Sequence, residues 1–268
     1  MYKFPIGALC ESFRLPTREA VKKAAELGLS GLQLYATRGE NAPENLSGKN
    51  AADLLAFVKD NGLVFSALCG DLGRGFGHAE LNPELIEQSK RILSLAKELE
   101  CDIVTTHIGV VPEDPSHERY KIMQEACHQL AEFADSIDAH FAIETGPETS
   151  ATLKKFLDSL GSKGVGVNLD PANLILYGMG NPVDALDVFG KYVRGVHGKD
   201  GKYPTSGRAL GEETAMGEGK VDFPKLIKGL YDLGYDGCIT IEREIEGDQQ
   251  VKDVILARDM LQNIIANL

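Results

Sequence analysis

No apolar run in the chain approaches the roughly 18–20 residues that a membrane-spanning helix needs. There is no excess of base either: 28 Lys and Arg stand against 40 Asp and Glu, a formal charge of −12 over 268 residues. A general nucleic-acid binder needs a basic stripe to displace counterions, and docking on anionic lipid asks for the same, so neither nucleic acid nor membrane is expected as a partner. The five cysteines (Cys10, Cys69, Cys101, Cys127, Cys238) are scattered and form no CxxC pair. That argues against a thiolate zinc site and against a disulfide framework. Met1 to Cys10 lacks a basic stretch followed by an apolar core, so no secretory signal is read there, and a reducing cytoplasm is the expected location. No linker, low-complexity tract or fixed-period repeat interrupts the chain.

What is present is an alternation. Short β-rich runs near 4–9, 31–36, 64–70, 102–109, 140–146, 165–171, 193–200 and 236–245 are each followed by an amphipathic stretch. The helices fall near 17–28, 47–61, 82–98, 117–138, 149–160, 182–190, 222–232 and 249–266. Thr17, Ser47, Asn82, Ser116 and Asp222 stand where caps belong, and Gly28, Gly62, Gly161, Gly190 and Gly234 where helices stop. Eight strand–helix pairs in strict alternation predict a parallel sheet with crossover helices, and eight is the number that closes a (β/α)8 TIM barrel of one domain, residues 1–268. An open doubly wound sheet would more often use five to seven strands. The longest irregular stretch, 201–221, is of the length that serves as a lid or stays disordered.

Alternate residues of a strand face opposite sides, so one parity faces the helices and the other the lumen. Phe141 and Ile143, then Val165, Val167 and Leu169, then Ile239 and Ile241 form purely apolar sets. The opposite sets are small or polar and end in Glu144, Asp170 and Glu242; the seventh strand places His197 comparably. All four fall at C-terminal strand ends, where barrel active sites are built. Three crowded carboxylates would repel one another, and a divalent cation removes that difficulty. Carboxylate oxygens with one imidazole suit Mn2+, Mg2+ or Co2+, with Zn2+ left open.

At these residues the sequence resembles the sugar isomerase/epimerase superfamily with the xylose isomerase-like barrel. The matching pieces, in family order, are Ile143-Glu144-Thr145-Gly146, Asn168-Leu169-Asp170-Pro171, Val196-His197-Gly198-Lys199-Asp200, Gly217-Glu218-Gly219-Lys220-Val221-Asp222-Phe223 and Gly237-Cys238-Ile239-Thr240-Ile241-Glu242. The resemblance implies that Glu144, Asp170, His197 and Glu242 bind a divalent metal, and that Glu144 and Glu242 are the acid/base pair. It implies a metal-dependent isomerase of carbohydrate metabolism, moving a proton beside a carbonyl of a sugar or sugar phosphate through a metal-stabilised enediolate, and it suggests a homodimer. One departure is Asn173, three residues after the strand-6 Asp, where many members carry a substrate-contacting His; Asn cannot carry a proton at neutral pH.

Three other readings stand beside this one. The same chemistry would give a lyase or dehydratase if a leaving group sat β to the carbanion. An endonuclease IV-like nuclease shares the barrel but should be basic. A sugar-binding barrel without chemistry would not need all four ligand types. Further expected substrate contacts are His107, Asn173, Lys199 and Arg74, the last within a Gly-rich stretch, 70–78, that reads as a flexible lid. Glu148 and Arg243 are expected near the site, Arg243 on the wrong parity to face it.

Overall fold

The computed structural model describes residues 4–205 and 210–268. Its strands are β1 (Ile6–Leu9), β2 (Gly31–Tyr35), β3 (Val64–Cys69), β4 (Ile103–Thr106), β5 (His140–Glu144), β6 (Val165–Leu169), β7 (Val193–Gly198), β8 (Asp200–Lys202), β9 (Glu212–Thr214) and β10 (Ile239–Ile241). Eight of them close a parallel barrel in the order β1-β10-β7-β6-β5-β4-β3-β2, while β8 and β9 pair antiparallel as a separate hairpin. The helices are α1 (Thr17–Glu26), α2 (Lys49–Asp60), α3 (Asn82–Glu98), α4 (Glu118–Ser136), α5 (Ser150–Leu160), α6 (Pro171–Leu176), α7 (Pro182–Phe189), α8 (Phe223–Asp232) and α9 (Asp248–Ala266). The expected (β/α)8 TIM barrel is therefore the fold.

The helices form for legible reasons. In α8, Phe223, Leu226, Ile227 and Leu230 are buried, the i, i+3, i+4, i+7 stripe of a helix laid on a sheet. Asp222 accepts the Lys225 N–H at 3.2 Å at its start, and Gly234 leaves its end at φ +77°. In α5, the Thr149 hydroxyl accepts from Thr152 N–H, and Gly161 caps the end at φ +63°. Other expected caps do something else. Thr17 lies inside α1 and donates its hydroxyl to Glu40 Oε1 at 2.8 Å. Gly48, not Ser47, precedes α2, and its N–H goes to Glu98 Oε2. Asn82 is the first residue of α3 and holds Phe76 O, His117 rather than Ser116 caps α4, and Gly190 has an ordinary φ of −53°.

Two elements went unread in the sequence. Short α6 begins at Asp170, whose carboxylate accepts the Asn173 N–H at 3.0 Å while Pro171 opens the first turn. The sequence reading ends the sixth strand at 171 and places no element before 182, so this short helix is an addition the structure makes. The second is the β8–β9 hairpin inside 201–221; residues 206–209 of that stretch lie outside the described ones.

The apolar parity of the strands packs outward into the core shared with the helices, where Phe141, Ile143, Val165, Val167, Leu169, Ile239 and Ile241 are all buried. The lumen is built from small and polar groups instead of the usual stacked branched residues. A Cβ on Gly7 would meet Gly31 O at 2.5 Å and Cys238 Sγ at 2.9 Å, so the chains approach there as only glycine allows. Gln33 donates to Thr105 Oγ1 at 3.1 Å, and the Ser66 hydroxyl lies 3.5 Å from that of Thr240. This polar filling lies on the same parity as the strand-end residues.

Candidate active site

Glu144 is the last residue of β5; Asp170 and Glu242 directly follow β6 and β10; His197 lies in β7. The register pairs Glu144 with Asn168, two before Asp170, and His197 with Thr240, two before Glu242, the stagger by which tilted barrel strands bring residues of neighbouring strands together at one mouth. One candidate ligand atom from each lies within 4.8 Å of all the others, and all four residues are buried. His197 Nδ1 is 3.1 Å from Glu242 Oε2 and 3.5 Å from both Glu144 Oε1 and Asp170 Oδ2.

Two buried atoms of this group, Asp170 Oδ2 and His197 Nδ1, have no hydrogen-bond partner among the described residues. Such an atom costs free energy unless something occupies it. Both converge on the same space as Glu144 and Glu242, and their chemistry, three carboxylate oxygens and one imidazole nitrogen, is that of a divalent-cation site. Charge agrees. Three carboxylates are met by one buried ammonium, Lys199, which lies 3.2 Å from Glu242 Oε2, 3.8 Å from Asp170 Oδ2 and 3.2 Å from Glu244 Oε1. The clustered carboxylates therefore outnumber the buried ammonium beside them, an excess of negative charge that a divalent cation relieves.

The electrostatics carry the same sign. Burial pushes the His197 pKa down, but Glu144 and Glu242 outweigh it and leave it well above the ordinary value. The field that draws a proton to Nδ1 would equally draw a metal cation. Burial raises the Glu242 carboxyl, and His197 and Lys199 overcome that to hold it well below the usual range. Lys199 is likewise lowered by burial and raised further by Asp170, Glu242 and Glu244, so it stays charged.

A cavity of about 480 Å3 opens beside this cluster, lined among others by Glu144, His107, Glu148, Arg74 and Tyr177. His107 has one ring nitrogen 3.2 Å from Asp71 Oδ2 and the other 3.6 Å from Glu144 Oε1. Glu144 and then, against burial, Asp71 raise it to about 9. Glu148 is buried beneath the cavity with Oε2 unpartnered, and burial lifts its carboxyl to about 7, so it can hold or release a proton near neutrality. Arg74 also lines a second hollow of about 530 Å3, which shares Asp71 and Gly73 with the first. Asn173 faces inward: its amide donates to Glu144 Oε1 at 3.3 Å and to Thr145 O at 3.0 Å, and it is 8% exposed. Its place is thus beneath Glu144, holding that carboxylate.

The Gly-rich stretch 70–78 is pinned over part of its length, contrary to the lid expectation. Phe76 is buried with its N–H on Ile108 O, and a Cβ on Gly75 would come within 2.6 Å of that same oxygen. The glycine there permits close packing.

Asp200 explains the second glycine motif. Its carboxylate accepts from the backbone N–H groups of Gly201, Gly217, Gly219 and Val221, which ties the end of the long stretch to the start of β8. A Cβ on Gly219 would stand about 2.0 Å from Asp200 Oδ1, so only glycine fits. Arg243 turns away from the cluster, as its parity predicts, and bridges Glu213 at 2.6 Å and Asp253 at 2.8 Å.

Sequence reasoning missed three participants. Gln33 lies 3.1 Å from His197 Nε2, Asn168 donates to Glu144 Oε2 at 3.3 Å, and Asp71 partners His107. Gln33 had a readable signal, a polar residue between two leucines in Gly31-Leu32-Gln33-Leu34-Tyr35 on the lumen parity. Asp71 had none, because a loop carries no period.

Comparison with known proteins places the fold. Fructoselysine 3-epimerase of Escherichia coli O157:H7 is 23% identical over 258 residues, covering 87% of each chain. The structure of a xylose isomerase domain protein from Planctomyces limnophilus superimposes with a TM-score of 0.86 at 27% identity, over 100% of this chain and 99% of that one. A xylose isomerase-like TIM barrel protein from Mycobacterium smegmatis, solved in complex with magnesium, matches at TM-score 0.76 and 17% identity, over 98% and 97%. The family described as xylose isomerase-like TIM barrel matches residues 21–264, and the chain belongs to it.

Proposed function

We propose that the chain is a divalent-metal-dependent sugar isomerase or epimerase that moves a proton on a carbon next to a carbonyl. The observation that carries this reading is the convergence of Glu144, Asp170, His197 and Glu242, with two buried lone pairs unpartnered among the described residues, beside a cavity large enough for a sugar whose wall Glu144 forms in part. The magnesium bound by a relative of the same fold, and the epimerase activity named for another, support it.

Glu144, Asp170, His197 and Glu242 would hold the ion, with Mn2+, Mg2+ and Co2+ the favoured metals. A bound divalent ion supplies Lewis-acid polarisation of a substrate carbonyl. Glu144 and Glu242 approach the cluster from β5 and β10, on either side of His197. A substrate carbon between them would meet one carboxylate able to take a proton and another able to return it, which is epimerisation; one carboxylate acting alone on adjacent carbons would give isomerisation. His197 and Lys199 keep Glu242 ionised, the form in which a carboxylate can take a proton at all. Asn173 and Asn168, donating to opposite oxygens of Glu144, fix that carboxylate's orientation. His107, charged near neutrality, would donate to a substrate oxygen at the mouth, and Arg74 would contact the far end of a sugar or sugar phosphate. The four described groups favour this reading over a nuclease, which the acidic surface opposes. No helix among the described residues is long and apolar enough to cross a membrane, in keeping with a cytoplasmic enzyme.

The test is exchange of a substrate C–H with solvent deuterium. The chain, stripped and reloaded with Mn2+, should exchange at least one member of a panel of ketoses, aldoses, their phosphates and keto-polyols, and the stripped chain none. Absence of exchange across the panel, in protein shown to hold metal, would sink the proposal.

A further inference from the structure

We propose that Gln33, on the opposite side of the barrel from the metal ligands, is the positioning residue that sets the tautomer of His197 and so makes Nδ1 available to the cation; this rests on the metal reading above.

The ring of His197 is buried and has two different faces. Nδ1 points at the three carboxylates and has no hydrogen-bond partner among the described residues. Nε2 lies 3.1 Å from the Gln33 carbonyl oxygen, an acceptor, and 3.1 Å from the Asn168 amide nitrogen, a donor. A neutral imidazole carries one proton, and its neighbours choose where. With the proton on Nε2, the ring donates to Gln33 Oε1 and leaves the Nδ1 lone pair free for a cation. With the proton on Nδ1, the ring instead accepts from Asn168 at Nε2 and turns a hydrogen toward the carboxylates, where it occupies the place of the ion. Gln33 and Asn168 therefore favour opposite tautomers.

Gln33 has the geometry to hold the Nε2 proton. It is 2% exposed, so its carbonyl is shielded from bulk solvent. Its amide nitrogen donates to Thr105 Oγ1 at 3.1 Å, which turns the carbonyl oxygen toward the imidazole. Asn168 gives one amide hydrogen to Glu144 Oε2 and has a second for Nε2, so it opposes Gln33, and a cation that takes the Nδ1 lone pair settles the contest in favour of the Nε2 proton and its Gln33 acceptor. The contact crosses the lumen from β2 to β7, strands that are not neighbours in the barrel. Only the small, polar filling of the lumen allows a side chain to span it. A partner on the outer nitrogen that fixes the ring is the usual support of a metal-bound histidine, and its loss commonly weakens metal binding by about 10- to 100-fold.

Two substitutions separate this role from mere packing. Gln33→Met keeps the length and volume but removes the acceptor; Gln33→Glu keeps the acceptor but brings a charge. A packing role predicts that Met is tolerated and Glu harmful, and the tautomer role predicts the reverse. Mn2+ affinity is read by electron paramagnetic resonance titration on the full chain. The expected result is about 10-fold or greater weakening in Gln33→Met, and near-native affinity in Gln33→Glu. Equal binding by Gln33→Met and the native chain overturns the proposal while leaving the metal reading intact, and so does a Gln33→Glu as weak as Gln33→Met. A native chain that takes up no Mn2+ overturns the metal reading and this inference together. Should either variant fail to fold, the native chain answers alone. Two-bond proton–nitrogen correlation on the Mg2+-loaded protein should show the His197 proton on Nε2, and a proton on Nδ1 overturns the assignment.

Discussion

The two halves of the barrel mouth are built from different chemistry. The half formed by β5, β6, β7 and β10 supplies Glu144, Asp170, His197, Lys199 and Glu242, all buried and all ionisable. The half formed by β1 to β4 supplies neutral donors and acceptors inside, Gln33 and Thr105, and exposed or half-buried groups outside, Asp71, Arg74 and His107, around two adjoining hollows. Charge is concentrated where a reacting carbon and a cation would be, and space is concentrated where the remainder of a substrate would lie. The lesson is a division between reaction and recognition across one ring of strands. It predicts that substitutions in the first half act on turnover or on the fold, and those that line the hollows of the second on binding.

The largest effect should come from the carboxylates of the first half. Glu144→Gln and Glu242→Gln remove the proton acceptor while keeping size and hydrogen bonding, and each should lower deuterium exchange by about 10^3-fold, within the range for a lost general acid or base. Normal exchange by both variants would refute their assigned roles. Next comes the anchor of the long stretch. Asp200→Ala leaves four backbone N–H groups without their acceptor, and the loss should be on the order of 3–5 kcal/mol, read as a fall in Tm of roughly 10 °C by calorimetry. A Tm within a degree of native would show that the loop holds without its carboxylate.

The unequal legibility of the two halves in the sequence follows from the same division. In β5, β6 and β10 the apolar parity is unbroken, so Phe141-Ile143, Val165-Val167-Leu169 and Ile239-Ile241 point outward and the position of Glu144, Asp170 and Glu242 follows from counting by two. The barrel itself was readable because eight strand–helix periods leave few alternatives. What escaped depends on contacts between residues far apart in the chain. Nothing local says that Gln33 reaches His197, 164 positions away, or that Asp71 meets His107. The spacing locates Asn173 three residues after Asp170 but cannot reveal that its amide folds back on Glu144. The β8–β9 hairpin was hidden for a related reason: its three-residue strands are too short to show a period.

In the second half, Glu11 offers a test through stability. Its carboxylate accepts the Tyr35 N–H at 3.0 Å, yet Oε2 is buried without a partner, and burial raises its pKa from 4.5 to about 7. An acid whose folded pKa lies above its unfolded one binds its proton more tightly when folded. Glu11 therefore costs nothing below about pH 4.5 and destabilises increasingly as the pH rises to about 7, by up to about 3 kcal/mol at the upper end. Glu11→Gln should flatten that part of the stability curve, so that the variant gains on the native chain between pH 5 and pH 8 in urea unfolding. A difference that does not change with pH would show that the carboxyl titrates normally.

The smallest effect tests the division itself. Arg74 is exposed, makes no contact with the four clustered residues among its described interactions, and lines both hollows. A guanidinium so placed can contact a substrate before and during reaction alike, and such uniform binding sets KM without altering kcat. With whichever sugar passes the exchange screen, Arg74→Ala should raise KM by about 10-fold, the value of roughly 1.4 kcal/mol of lost binding, and leave kcat within a factor of two or so. Because Arg74 is far from any role in holding the ion, Mn2+ affinity should stay at the native value. A variant whose kcat falls while KM holds would place Arg74 among the groups that act on the transition state, and the boundary between the two halves would have to move to include the loop after β3.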